Sequence, residues 1–298
     1  MRNQEITFSV FDEEGNDIST DATFYVDGTA LDTNSFSSDT EGSFEIYAEY
    51  NNNGTTATTE TETFNVVIPK RKISIEDHTG TWCGYCPRIT EAIEKVHDET
   101  DNITVVAIHN NDEMALDFEE IIREEFGVSG FPTGRLNRTT EWDRPHEEAE
   151  VTSIAGTASP IGIGIKSTVT GNTLNATISV SSEEALSGKK LVVYLVEDGI
   201  IADQVNYLNN DPSSIYYQQG DPIIGFVHDD VLRASLTDLF GNNISSVGAL
   251  EEYTTDLSTT LDSSFVVENL ELVVMVTESD NTTLNSQYAK VNETKGYE

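Results

Sequence analysis

The chain has 298 residues, room for two or three domains, and carries 53 acidic against 16 basic residues, a net charge of −37. Such a field repels phosphate, which excludes nucleic acid as a partner and docking on anionic lipid through a basic face; it suits a solvated acidic surface, and its Asp residues lack EF-hand spacing. No apolar run reaches the roughly 20 residues of a membrane helix, and the two cysteines, three apart, fit an exported chain that uses one pair for redox chemistry rather than as scaffolding.

Residues 5–68 alternate with period two. Ile6, Phe8 and Val10 share one face, as do Ala22, Phe24 and Val26, then Phe44, Ile46, Ala48 and Tyr50, then Phe64, Val66 and Ile68. Gly15-Asn16, Asp27-Gly28 and Asn51–Gly54 supply turns. Short strands with regular turns predict an immunoglobulin-like β-sandwich over 1–69, a spacer or partner surface. Pro69 and the basic triplet Lys70-Arg71-Lys72 mark its boundary.

The chemistry sits in ISIEDHTGTWCGYCPR, Ile73 to Arg88. Ile73 to Asp77 reads as a buried strand. After a turn come Trp82-Cys83-Gly84-Tyr85-Cys86, and Pro87 opens a helix to residue 99 with Ile89, Ala92, Ile93 and Val96 on one face. A sulfur at a helix N-terminus meets unpaired N–H groups and the positive end of the helix dipole, which favours the thiolate, the only form that attacks a disulfide. Cys83 is then the exposed attacker and Cys86 the resolving partner. The C-x-x-C spacing also occurs in zinc sites, so a metal centre stays open at this point.

Ile103 to Ile108 is a continuous apolar run, as a buried parallel strand requires. Asn111-Asp112 is expected to cap a helix over 112–126, with Met114, Phe118, Ile121 and Ile122 inward and Gly127 at its stop. A proline loop, a hairpin and a closing helix near 145–154 complete a βαβα-then-antiparallel order. From Ser159 the period is two again: Ile161, Ile163 and Ile165, then strands over 174–180, 190–196, 231–239 and 270–276, with a polar loop from Asn206 to Asp221. Gly162 and Gly164 lack the third glycine and the helix of a dinucleotide loop. The region 158–298 reads as a second β-sandwich.

The gapless stretch from Asp77 to Cys86 resembles the thioredoxin active site. Gly127-Val128-Ser129-Gly130-Phe131-Pro132-Thr133 is similar to the family's G-x-x-G-x-P-T segment, with Pro132 placed 49 residues after Cys83. The resemblance covers about residues 70–155. It implies that Pro132 is cis and packs against the active disulfide, and that Phe131 offers its backbone to an incoming client strand. It also implies that Asp77, six residues before Cys83, is a buried acid exchanging protons with the resolving thiol. Thioredoxin's N-terminal strand and helix are missing or replaced by the first domain, which leaves the packing of one sheet edge unassigned. More narrowly, IEDHTGTWCGYCPR, FPTGRLNR and HDDVLRASL resemble the outer-membrane-protein-28-related envelope lipoproteins of Gram-negative bacteria. That likeness implies an envelope (outer membrane-associated or periplasmic) or secreted location, and a precursor whose leader and lipid-bearing cysteine this chain lacks.

Other side chains have competing readings. His78 stands near the thiols or is an ordinary strand-end residue. With His109 and the two cysteines it would make a Cys₂His₂ set, whereas thioredoxin-type turns hold their cysteines for a disulfide. His228-Asp229-Asp230 reads as a polar loop cluster, Trp82 as cover for the turn, and Arg88 as a solvated charge near Cys83.

The fold expected is therefore multidomain: a central α/β thioredoxin-like domain, 70–157, flanked by immunoglobulin-like β-sandwiches, 1–69 and 158–298. The function expected is an envelope thiol-disulfide oxidoreductase acting on protein disulfides. Cys83, Cys86, Asp77 and Pro132 are its catalytic residues, and Trp82, Tyr85 and Phe131 contact substrate. It needs no cofactor or metal beyond the redox-active Cys83–Cys86 pair. Its partners are protein thiol or disulfide clients and an envelope redox partner. The alternative is a non-catalytic surface binding or adhesion lipoprotein with a thioredoxin-like scaffold. The large sandwiches favour it; the intact cysteines and Asp77 oppose it.

Overall fold

A computed structural model describes residues 1–52 and 54–298, Asn52 by its backbone alone. The turn expected at Asn51–Gly54 thus includes Asn53, outside the described residues. The chain divides into two compact units, Met1–Pro69 with Tyr297–Glu298, and Lys70–Gly296.

The first unit is all β. Strands β1 (Ile6–Thr7) and β4 (Ser35–Phe36) form one small sheet; β2 (Ala22–Val26), β3 (Thr29–Ala30), β5 (Gly42–Asn52), β6 (Thr55–Thr58) and β7 (Glu62–Val66) form another. Asp27 and Gly28 have φ of 48° and 74°, the left-handed pair that a two-residue hairpin between β2 and β3 demands. Val10, Phe24 and Ala48 form the core, extended by a chain of rings: Phe8–Phe64, Phe36–Phe44 and Phe44–Phe64 lie 5.1–5.6 Å apart.

In the second unit β8 (Ile73–Thr79) and β9 (Ile103–His109) are parallel, in register from Ile73–Ile103 to Thr79–His109. Every residue of both is buried, as continuous apolar strands covered on two faces should be. Helix α1 (Pro87–Glu99) joins them, with proline at its first turn, where no N–H is needed. Its Ile89, Ile93 and Val96 pack on Ile73, Ile75, Ile103 and Val105. Val106 and Ile108 face the other way, towards Ile122 and Phe126 of the next helical segment.

That second helix is shorter than expected. α2 runs Glu119–Glu125, and Asp112 does not cap it. Asn111 turns left-handed at φ 52°, and Asp112 Oδ1 accepts the Met114 N–H at 3.0 Å, a local turn that competes with helix. Met114 and Ile122 are buried and Phe118 is half-buried, but Ile121 is 53% exposed rather than inward. Gly127, with φ 62°, ends the helix as expected. The hairpin β10 (Thr133–Leu136) and β11 (Thr140–Trp142) follows, β10 pairing antiparallel with β8. The closing helix is only α3 (Ala149–Thr152). The basic triplet is drawn into this unit: Arg71 N–H donates to Thr157 O at 2.7 Å, and Lys72 is buried.

Strands β12 (Ile161–Thr170), β13 (Thr173–Ser182), β19 (Glu252–Thr260) and β22 (Thr294–Lys295) form one four-stranded sheet. The other C-terminal strands do not form a separate domain. β17 (Val231–Ser235, shorter than the 231–239 expected) runs parallel to β9, through Val231 and Ala107. β14 (Lys190–Glu197), β20 (Leu270–Thr277) and β21 (Thr283–Lys290) continue the sheet, with the short β18 (Asn242–Asn243) also on β14. The order is β11-β10-β8-β9-β17-β14-β20-β21. The sheet beside β9 is thus continued by the C-terminal region and not by the first domain, and the boundary expected at 157/158 separates no compact units. Leu191, Val193, Leu272 and Val274 pack one face of this extension on Ile163, Ile165, Ile178 and Val180 of the four-stranded sheet. Among the described residues the chain is therefore β-rich with multiple sheets around a thioredoxin-type βαβ core.

Candidate functional site

Two successive turns build the site. Cys83 N–H donates to Gly80 O at 3.0 Å and Cys86 N–H to Cys83 O at 3.1 Å, and Ile89 N–H then begins α1 on Cys86 O. Cys83 and Cys86 are joined as a disulfide, with Cα atoms 5.3 Å apart. The turn is held to the end of β9 at two points: Thr81 N–H donates to Asp112 Oδ2 at 2.9 Å, and the Trp82 indole N–H donates to Asn110 O at 2.7 Å. Gly80 has no room for a side chain, since a Cβ would stand 2.8 Å from Trp82 Nε1 and 3.0 Å from Asn110 O.

Trp82 precedes Cys83, Tyr85 lies between the two cysteines, and they are 44% and 48% exposed. The Trp82 ring meets Phe131 edge-on at 5.4 Å, and the Phe131–Pro132 peptide is cis. The Arg88 guanidinium lies 4.8 Å over the Tyr85 ring. Cys83, expected to be exposed, is 4% exposed, and Cys86 1%. The polar loop expected over 206–221 and the strand before it lie beside this turn. β15 (Ile200–Gln204) and β16 (Ile223–His228) form a hairpin whose connecting loop lies against the turn. Gln204 Nε2, buried, donates to Cys83 O at 3.0 Å; Val205 N–H donates to Thr81 O and Tyr207 N–H to Gly84 O, both at 2.8 Å.

Asp77 is buried on the α1 side of β8, and its Oδ1 has no partner. Burial pushes its carboxyl up to about 8, because the charged form is poorly solvated there. It lines a cavity of about 320 Å³ together with Glu94 of α1, His109, Asp198, His228 and Asp230. Asp230 is raised well above the usual carboxylate range by burial, then by the charges of Asp198, Glu271, Asp229 and Asp77. His109 Nδ1 and Asp112 Oδ2 are 2.7 Å apart, and the His109 and His228 rings meet edge-on at 5.2 Å. Burial lowers His228 to about 4. The His228-Asp229-Asp230 segment therefore contributes to this cavity.

His78 is not with the thiols. It sits in register with Ile108, on the opposite face of β8 from Asp77, and both ring nitrogens are buried without partners. Burial, then Arg135, Arg123 and Arg138, lower it to about 3. His78 and His109 therefore do not converge on the cysteines, and no three His, Cys, Asp or Glu side chains among the described residues are grouped to hold a metal ion. No helix among them is long and apolar enough to cross a membrane.

A cysteine pair at a helix N-terminus, beside a cis-proline loop and an acid buried in the preceding strand, defines a thioredoxin-type fold, and residues 55–155 match the thioredoxin family. Residues 119–295 match the family described as outer membrane protein Omp28, and the chain belongs to that family. Among solved structures, HBP35 of Porphyromonas gingivalis is similar at 20% identity and a TM-score of 0.57, covering 75% of this chain and 76% of that one, a likeness of fold. A domain of the outer membrane lipoprotein Omp28 from the same organism is similar at 16% identity and a TM-score of 0.29, covering 45% of this chain and 89% of that one. No match to a curated protein was found.

Proposed function

We propose that this protein exchanges thiols and disulfides with client proteins at the cell envelope. One observation carries the reading: the Cys83–Cys86 pair starts α1, and the strand leading into it holds Asp77 buried with a carboxyl raised to about 8. In the dithiol form the Cys83 thiolate attacks a client disulfide. The client S–S bond breaks, one client sulfur leaves as thiolate and takes a proton from water, and the other becomes bonded to Cys83. Asp77 carboxylate accepts the Cys86 proton, Cys86 attacks Cys83 Sγ, and the second client thiolate leaves. Two electrons have passed to the client and the Cys83–Cys86 disulfide is restored. A carboxyl near 8 and a thiol near the usual ~8.5 exchange a proton with little driving force either way, the condition for an efficient relay. Trp82, Tyr85, Phe131 and Pro132 form the rim that a client strand meets. We assign the β-sandwich-like parts, immunoglobulin-like in their short-strand pattern, to spacing and client choice. Family membership supports outer membrane association; a lipid anchor and an envelope partner that resets the pair complete the proposal.

One observation favours a second reading, a surface binding protein with a redox-silent scaffold: both sulfurs are buried. Alkylation of reduced Cys86→Ser across pH decides between them. The redox reading expects a Cys83 thiolate titrating below about 8.5 and a trapped mixed disulfide with a disulfide-bonded protein. An unshifted thiol that traps nothing supports the scaffold.

A further inference from the structure

Residues Gln204 to Tyr207 lie along the active-site turn as a strap. We infer that this strap is the cover of the redox site: Gln204 fixes the turn, Tyr207 is seated on Gly84, and the strap lifts before a client reaches Cys83. The inference rests on the redox reading of the cysteine pair.

The seat is specific. A Cβ at Gly84 would stand 2.4–2.6 Å from Cγ, Cδ1 and Cδ2 of the Tyr207 ring, so the ring occupies the space that any other residue there would fill. The same ring meets Tyr85 edge-on at 5.3 Å. Gln204 spends its amide on backbone of the turn, donating to Cys83 O and, at 3.4 Å, to Gly80 O. Past the strap the loop docks on α1: Ser214 Oγ donates to Glu91 at 2.7 Å and Tyr216 Oη to Glu94 at 3.2 Å. Buried Asn206 staples that loop to itself, through Tyr216 O and Gly220 O. The anchors at both ends are thus buried or docked, while Tyr207 between them is 59% exposed. Beyond the Gln204 amide, the cover is held by one ring and two backbone hydrogen bonds, a weak link between firm ends. It explains how Cys83 is 4% exposed between two side chains that are nearly half exposed.

The test uses the full oxidised chain and the rate at which a water-soluble phosphine opens Cys83–Cys86, the phosphine becoming its oxide with oxygen from water and the disulfide becoming two thiols. Tyr207→Gly should speed opening about two- to tenfold, the equilibrium worth of one aromatic pair. Gly84→Ala, which wedges the ring off its seat, should speed it similarly, and Tyr207→Phe should keep the slow rate. The double variant should match Tyr207→Gly alone, because the wedge has no ring left to displace. Unchanged rates in both single variants, or multiplied rates in the double, overturn the cover. Exchange with a disulfide-bonded protein is measured alongside. If the phosphine rates follow this pattern but no variant exchanges with protein, the redox reading fails and the cover stands. If exchange proceeds and no variant alters either rate, the cover fails and the redox reading stands.

Discussion

Arg138 Nε donates to Glu76 Oε1 at 2.9 Å, and both side chains are fully buried. The same guanidinium donates from Nη2 to Tyr194 Oη at 2.9 Å and lies 4.8 Å over the Phe126 ring. Glu76 belongs to β8 and Tyr194 to β14, so one cation ties the thioredoxin-type core to its C-terminal extension. Burial alone would lower the guanidinium, but Glu76 and Tyr194 hold it above its ordinary value, while burial pushes Tyr194 up to about 12. Arg138→Ala leaves a buried carboxylate unpaired, and we expect a loss of about 3–5 kcal/mol in urea unfolding. Replacing both Arg138 and Glu76 by apolar residues should cost less than Arg138→Ala. A loss under about 1 kcal/mol for the single change, the surface-pair range, would contradict this account.

Asp77 makes stability fall as pH rises. Its carboxyl titrates near 4 in an unfolded chain and at about 8 in the fold. The folded state therefore binds more protons between those values. Its contribution is full below about 4 and is lost progressively until about 8, on the order of 5 kcal/mol at 1.36 kcal/mol per unit. Buried His228 and His78, with lowered values, slope the other way at acid pH. The readout is thus the difference between wild type and Asp77→Asn. The variant should gain on wild type from pH 5 to pH 8, by urea midpoints at constant m. A constant difference across that range would remove Asp77 as a strongly raised group.

The βαβ core was legible because its signals are local. Ile73–Asp77 and Ile103–Ile108 are continuous apolar runs, and α1 begins and ends where Pro87 and its apolar face say it should. Helix α2 was overread because Asp112 looks like a cap in sequence, yet its carboxylate serves Thr81, His109 and Met114. The strap was invisible because Gln204 and Tyr207 meet the turn across more than 120 residues, and no period or motif marks them. The fused sheet was missed for a related reason: Val231 is an ordinary β residue, and nothing in it shows that its neighbour is Ala107. Of the two readings of His78, the strand-end residue is the one that fits, since adjacency to Asp77 in a strand means opposite sides.

Strand β21 shows how a polar pattern can mean burial. Thr283, Asn285 and Ser286 are polar, and all three are buried. Ser74 Oγ donates to Thr283 Oγ1 at 3.1 Å and Thr104 Oγ1 to Ser286 Oγ at 3.0 Å, so β21 packs on β8 and β9 through polar side chains. Asn285 is the densest point of this seam. Its Oδ1 accepts the Lys72 N–H at 2.8 Å, and its Nδ2 donates to Ile161 O at 2.7 Å and Lys70 O at 3.2 Å. One side chain thereby joins the start of the thioredoxin-type core to β12. Asn285→Ala strands buried backbone groups at about 1–3 kcal/mol each. We expect a loss at the upper end of that range in urea unfolding, with faster amide exchange at Lys72. Asn285→Asp keeps the acceptor for Lys72 but brings a carboxylate against two carbonyls, and should be no less damaging. Amide exchange at Lys72 unchanged in Asn285→Ala would show that this seam does not hold β21 to β8.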